Sequence, residues 1–471
     1  MRFLVIFPLV LSIISCEPIP KKPNVVFILV DDLGWADLGY MGSTFYETPE
    51  LDKFSKQSVN FTNAYSSGSV CSPSRAAILT GRHPVRLQIT DWIPGMVSQG
   101  KSLSTPGIAN ELALEEVTLA ERLRQNGYKT FFAGKWHLGD TTFYPEDQGF
   151  DTNVGGHDKG SPPGGYYTPY KNPKLDDGPE GEYLTDRLTN ESLQFLDNIG
   201  EDPFMLYLSF YTVHTPIQAN KQYIEKFEGK LDTLKGKEPR TRAEGAGITR
   251  LEQNDPAYAS MVYAMDQNVG RIIKKLKDRG LFEHTIIVFT SDNGGLSTLD
   301  KNRKNPGPTS VLPLRGGKGW LYEGGIRVPL LYKPLYYKGG AKVVDAPVIG
   351  HDFFPTILSQ MELALPEDLA GDGIDFTHAL NHPEQMQERD LVWHYPHYHG
   401  SGWAPGSAIR SGKWKLIEFY ETGKVELYDL KEDIGESNDI SELLPKKTEA
   451  LRELLHAQLD SMNASYTTPA N

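Results

Sequence analysis

Several short apolar runs in this chain stop abruptly at charged or polar residues, and that pattern constrains the fold more than any other feature. Val25-Val26-Phe27-Ile28-Leu29-Val30 is followed at once by Asp31 and Asp32. Phe131-Phe132-Ala133-Gly134 runs into Lys135-Trp136-His137, and Phe204-Met205-Leu206-Tyr207-Leu208 leads within a few residues to His214. Thr285-Ile286-Ile287-Val288-Phe289-Thr290 ends at Ser291-Asp292-Asn293. Unbroken apolar runs of this length read as strands buried on both faces. Before the last of them, Met261, Met265, Val269, Ile272, Ile273 and Leu276 recur at helical spacing, with Gly280 as a stop. Strands alternating with such helices imply an α/β fold with a large, mainly parallel sheet sandwiched by helices. Sheets of this kind bind ligands beyond the carboxyl ends of their strands. The polar residues at the run ends are therefore expected to gather at one edge.

The chain has 471 residues, enough for one large domain and a smaller one. After residue 365 the pattern changes. Trp414-Lys415-Leu416-Ile417 and residues 425–430 flank a turn at Glu421-Thr422-Gly423-Lys424, which predicts a hairpin. A closing amphipathic helix would bring Leu451, Leu454, Leu455 and Leu459 together. The expected division is a signal segment at 1–15, a linker at 16–22, a catalytic domain at 23–365 and an α+β subdomain at 366–471. The formal charge of -13 acts at long range and is screened beyond about 8 Å. With no Lys/Arg-rich run, it argues against a nucleic-acid partner.

There are two cysteines, and each has its own explanation. Cys16 ends a segment with Arg2 as its charge, residues 3–14 as an apolar run, and Ile13-Ile14-Ser15-Cys16 at the junction. The run is too short to span a bilayer core of about 30 Å, so a cleaved signal is expected. The junction resembles a bacterial lipobox, which implies lipidation of Cys16 and a lipid-anchored protein of the cell envelope, at the outer membrane. A disulfide between Cys16 and Cys71 would consume the second cysteine, and we discount it.

Cys71-Ser72-Pro73-Ser74-Arg75 continues as Ala76-Ala77-Ile78-Leu79-Thr80-Gly81-Arg82. Pro73 suits the first turn of a helix and Gly81 its close. Cys71 would then sit at a helix N-terminus, a place that favours anions and lowers a thiol pKa. Asp31, Asp32, Asp292 and Asn293 offer only oxygen, which suits Ca²⁺ or Mg²⁺. The Cys-x-Pro-x-Arg…Thr-Gly-Arg stretch resembles the signature of the type I sulfatases, in the alkaline-phosphatase-like superfamily. Gly134-Lys135-Trp136-His137-Leu138-Gly139 resembles the second signature of that family, and the resemblance covers nearly everything from Pro23 to about Leu459.

The resemblance implies a reaction and its parts. Cys71 would be oxidised to formylglycine (3-oxoalanine) by a formylglycine-generating enzyme or an anaerobic sulfatase-maturating enzyme. One calcium ion would be held by Asp31, Asp32, Asp292, Asn293 and the modified Cys71. A hydroxyl of the hydrated aldehyde would attack sulfur, Lys135 and Lys318 would hold the sulfate, and Arg75 would steady the hydrate. His214 would protonate the leaving oxygen, aided by Lys318, and His137 would take the proton that lets the aldehyde reform. His157, His397 and Arg410 are the candidate substrate contacts, and the run from Trp393 to His399 mixes histidines with aromatic faces suited to a sugar. The expected substrates are sulfated oligosaccharides or polysaccharides. The rival readings are a phosphonate or phosphate monoester hydrolase of the same superfamily, and an inactive glycan-binding lipoprotein.

Overall fold

The computed structural model describes residues 22–96, 99–234, 238–303, 305–366, 371–386 and 388–470. Cys16 and the signal segment lie outside the described residues. Eight strands form the main sheet: β1 (Asn24–Val30), β2 (Val59–Phe61), β3 (Lys129–Gly134), β4 (Thr152–Val154), β5 (Phe204–Ser209), β6 (Thr285–Ser291), β7 (Leu330–Lys333) and β8 (Lys342–Val344). Their order across the sheet is β8-β2-β7-β6-β1-β5-β3-β4. β1 lies at the centre, parallel to β6 with Val30 opposite Ser291, and parallel to β5 with Leu29 opposite Ser209. Only β7 runs antiparallel to its neighbours β6 and β2. The sheet is thus mainly parallel, as the unalternated apolar runs predict.

Alternation along β1 explains the two helical layers, because successive side chains leave opposite faces of a strand. Val26, Ile28 and Val30 pack on one face with Leu188 and Leu196 of α3 (Leu184–Asn198) and with Met261, Met265, Val269, Ile272 and Leu276 of α4 (Pro256–Asp278). Val25, Phe27 and Leu29 pack on the other face. Their partners come from α1 (Cys71–Thr80), α2 (Leu119–Gln125) and α5 (Phe353–Gln360). The helical stripe read from sequence around Met261 is buried along its whole length.

The C-terminal part is a four-stranded antiparallel sheet in the order β9 (Asp390–Tyr395), β10 (Gly406–Ser411), β11 (Trp414–Phe419) and β12 (Val425–Asp429). The predicted hairpin is β11–β12, with Gly423 at φ 66 in its turn. One face of this sheet buries Val392, Ile409, Leu416 and Leu427 against Leu451, Leu455 and Leu459 of α6 (Pro445–Ser461). The opposite face, with Trp393, Ala408, Ile417 and Tyr428, packs on Tyr65, Trp320, Leu321 and Tyr322. That second face sets the small sheet directly behind the segment that carries Lys318.

Candidate active site

The carboxyl ends of β1, β3, β5 and β6 meet at one edge, and backbone bonds carry their alignment past the last strand residue. Asp31 N–H donates to the Thr212 carbonyl (3.0 Å) and Val213 N–H to the Asp31 carbonyl (2.7 Å). Lys135 N–H donates to the Ser209 carbonyl (2.8 Å) and Asp292 N–H to the Val30 carbonyl (3.2 Å). Asp31 and Asp32 are neighbours that would leave opposite faces of a strand. Asp32 adopts φ 61, which ends the strand and lets both carboxylates enter one cluster. Helix α1 delivers Cys71 as its first residue, and Gly81 closes it at φ 71. A Cβ at Gly81 would stand 2.9 Å from Cβ of Phe354, so the tight seat of α1 on α5 needs glycine there.

The structure brings together nine of the predicted groups. Cys71 Sγ lies 3.5 Å from Asp31 Oδ1 and 3.5 Å from Lys318 Nζ. Lys135 Nζ donates to Asp31 Oδ2 (2.8 Å), and Lys318 Nζ lies 2.8 Å from Asp32 Oδ1. Arg75 spans the floor: Nε and Nη2 reach Asp292 Oδ2 (2.9 and 2.8 Å), and Nη1 donates to the Lys135 carbonyl and Ser209 Oγ. Asn293 Nδ2 donates to Asp32 Oδ1 (2.8 Å). His214 Nε2 lies 3.7 Å from Asp32 Oδ2, and ligand atoms of Asp31, Asp32, Cys71 and His214 all fall within 4.8 Å of one another. His137, the tenth, flanks this cluster in the same cleft.

Charge and burial set the protonation states. Removal from water pushes the Cys71 thiol up to about 12, against the pull of Lys135 and Lys318. This overturns the expectation of a lowered thiol pKa: two nearby ammoniums and a helix N-terminus do not compensate for full burial. Burial likewise raises Asp31 to about 7, while Lys135 opposes it. Burial pushes Asp32 in the same direction, but Lys318 and His214 outweigh it and hold that carboxyl below the usual range. For His137, burial and Lys135 hold the ring neutral. Its Nε2 donates to the Ile93 carbonyl (2.6 Å), which leaves Nδ1 as a buried lone pair with no partner among the described residues.

The donor set fits a hard divalent cation. Asp31, Asp32 and Asp292 are fully buried carboxylates, and Asn293 Oδ1 is buried without a hydrogen-bond partner among the described residues. An orphaned buried amide oxygen beside three carboxylates is the expected mark of an oxygen-coordinated ion.

A cleft of about 890 Å³ opens over Cys71, Asp32, His137, His214 and Lys318. Trp92, Lys159, Arg303 and His399 also line it, and sequence reasoning did not single them out. His399 lies within the quoted histidine-aromatic run, but nothing in its spacing distinguishes it from its neighbours. The three candidate substrate contacts are placed elsewhere. His157 is buried beneath the cleft wall, bonded through Nδ1 to Asp158 and giving its carbonyl to His137 N–H. His397 is buried against Thr90 Oγ1 (2.8 Å). Arg410 donates to the Tyr65 hydroxyl and to the Gly412 carbonyl, within the contact between the small sheet and the main body.

A family model described as "Sulfatase" matches residues 23–363, and one described as "N-sulphoglucosamine sulphohydrolase, C-terminal" matches residues 317–465. The chain belongs to the sulfatase family. It is 31% identical to mouse arylsulfatase J over 431 residues, covering 84% of this chain and 64% of that protein. It thus spans just under two thirds of arylsulfatase J. It is 29% identical to an ulvan-active sulfatase of Formosa agariphila, covering 94% and 81% of the two chains. Among solved structures it resembles Ps i-CgsB in complex with k-i-k-neocarrahexaose, at 29% identity and a TM-score of 0.73, covering 94% and 92%. The fold is shared with the phosphonate monoester hydrolase of Agrobacterium radiobacter, at 18% identity, TM-score 0.66 and coverage of 94% and 95%. As a sulfatase, the chain carries a mixed α/β sheet and a separate small antiparallel sheet, as its sequence predicts.

Proposed function

We propose that this protein hydrolyses sulfate esters on oligosaccharides derived from sulfated polysaccharides, using a formylglycine formed at Cys71 and a calcium ion held by Asp31, Asp32, Asp292 and Asn293. The observation that carries this reading is the state of Cys71. Its Sγ is buried at the N-terminus of α1, 3.5 Å from Asp31 Oδ1 and 3.5 Å from Lys318 Nζ, among the cations and carboxylates of the site, and burial keeps it a neutral thiol. Such a position suits a converted side chain with an oxygen nucleophile. Hydrated formylglycine supplies that nucleophilic hydroxyl and, through its second hydroxyl, a way to release sulfate without a separate attack by water. A bound calcium ion supplies Lewis-acid polarisation of a sulfate oxygen.

The chain's own residues do the rest. Lys135 and Lys318 neutralise charge developing on the sulfate. Arg75 fixes Asp292 and the carbonyl of Lys135, so both sides of the cluster keep their places. Nδ1 of His137 is a lone pair ready to accept a proton, its other nitrogen being committed to the Ile93 carbonyl. Nδ1 of His214 donates to the Thr215 carbonyl, so Nε2 is the nitrogen that would serve the leaving oxygen, and it gives up a proton there only from the doubly protonated ring. Lys318, raised above its usual pKa by Asp32 despite burial, stays protonated and assists at that oxygen.

The ulvan-active relative and the oligosaccharide bound to Ps i-CgsB support a glycan as substrate. Lipidation at Cys16, envelope localisation and dependence on a maturation enzyme belong to the same proposal. The test is sulfate release from a panel of sulfated mono- and oligosaccharides, with protein co-expressed with a formylglycine-generating enzyme. Release from some members and none from Cys71→Ala is the expected result. No release, with the aldehyde verified by peptide mass, would turn attention to phosphonate and phosphate esters.

A further inference from the structure

The run Trp393–His399 looks like one carbohydrate-binding patch in sequence, but the fold distributes it. Trp393 Nε1 donates to the Ser66 carbonyl, His394 bonds to Ser407, Tyr395 donates to Asp91, and His397 sits on Thr90. Of these rings, only His399 lines the cleft above Cys71, on the side of Lys318.

The orientation of that ring fixes its chemistry. Ser401 backbone N–H donates to His399 Nδ1 across 3.2 Å, and Ser401 Oγ lies 2.7 Å from the same nitrogen. A backbone amide can only donate, so Nδ1 is the lone pair and the neutral ring carries its proton on Nε2. The imidazole rests on Gly319, where a Cβ would come within 2.0 Å of Nδ1 and where φ is 81. Gly319 follows Lys318, so one short segment holds the ammonium and seats the ring. No hydrogen bond among the described residues engages Nε2. His214 has the opposite tautomer, with Nδ1–H on the Thr215 carbonyl and Nε2 bare. The cleft therefore presents one imidazole that accepts and one that donates.

We propose that His399 is a specificity-determining residue whose Nε2–H donates to a hydroxyl or ring oxygen of the sugar that bears the scissile sulfate. This rests on the sulfatase reading and names what part of the substrate beyond the sulfate is read. Burial and Lys318 keep the ring neutral, its pKa lowered to about 3, so it offers a donor without charge. An uncharged N–H suits a neutral sugar oxygen, whereas a second sulfate would call for a cation.

The experiment compares matured wild type, His399→Ala and His399→Gln on two substrates: the panel saccharide that wild type turns over fastest, and 4-nitrophenyl sulfate, which has no sugar. Aldehyde content and Tm are measured for all three. The expected result is a loss of about 10- to 100-fold in kcat/KM on the saccharide for His399→Ala, with 4-nitrophenyl sulfate changed by less than about threefold. His399→Gln keeps an N–H donor at similar reach and should recover most of the loss. An equal loss on both substrates, or no loss on the saccharide, overturns the proposal while leaving the sulfatase reading intact. Wild type active on 4-nitrophenyl sulfate but on no saccharide sinks the glycan reading and this proposal with it. Wild type inactive on both, with the aldehyde verified, sinks the sulfatase reading.

Discussion

Arg75 carries more of the site's geometry than any other single side chain. Its guanidinium meets Asp292 with two nitrogens and the β3–β5 junction with the third, while fully buried. Lysine would bring one point charge and could satisfy only part of that set. Arg75→Lys is expected to lower kcat/KM for sulfate release by about 100-fold or more, with Asp292 left short of donors. Steady-state assays normalised to aldehyde content check this; a loss under about threefold would mean the fork is dispensable. Asn293 makes a different point, because its Oδ1 is the one site oxygen that no donor among the described residues satisfies. Chelation with EDTA is expected to abolish turnover, and added calcium to restore it. Asn293→Ala should raise the calcium concentration for half-restoration by about tenfold or more, since one ligand oxygen is gone. An unchanged calcium requirement in that variant would remove Asn293 from the ligand set.

At the scale of elements, the strand ends were legible in the sequence and the small polar contacts were not. β1 and β6 are buried on both faces, so their apolar runs are unbroken and the first charged residue marks the sheet edge directly. Asp31, Lys135 and Asp292 follow from that rule. His137 and Asp32 are harder, because left-handed backbone at both positions redirects their side chains. His157, His397 and Arg410 do not line the cleft, and the reason is common to them: a sequence cannot tell which polar residues of a loop or edge strand face a neighbouring element. Asp266 on α4 is another case. It accepts from the backbone N–H groups of Glu50 and Leu51, tying the helix Pro49–Ser55 to α4, and burial pushes it up to about 7. A carboxyl raised in the native state binds its proton there more tightly than in the unfolded chain. Its contribution is therefore full below about 4 and is lost as pH rises through about 7. Asp266→Asn, which keeps an acceptor and cannot ionise, should flatten the fall in Tm between pH 5 and pH 8. Parallel Tm profiles for the two proteins would refute this assignment.

For the molecule as a whole, the decisive junction is the one between the main body and the C-terminal sheet, and it is ionic at its centre. Lys415 Nζ lies 2.9 Å from Glu323 Oε1 and 2.8 Å from Glu436 Oε1, all three side chains being buried. Glu323 also holds Arg327 and the Tyr65 hydroxyl, and Glu436 accepts from Glu323 N–H. Arg315, three residues before Lys318, donates to the Glu436 carbonyl, so the segment bearing Lys318 is tied into the same junction. Removing one partner of a buried ionic cluster leaves the others uncompensated, at a typical cost of about 3–5 kcal/mol. Lys415→Met, close in size but uncharged, should therefore lower Tm markedly. The pH dependence separates lost charge from lost packing. Glu436 is already pushed up to about 7 by burial, with Lys415 opposing the rise. Without Lys415 its carboxyl rises further, so the folded variant takes up protons that the unfolded chain does not. The variant's Tm deficit should then be smaller at pH 5 than at pH 8, measured against wild type in the same buffers. A deficit of equal size at both pH values would mean that Lys415 supports the junction by its bulk and not by its charge.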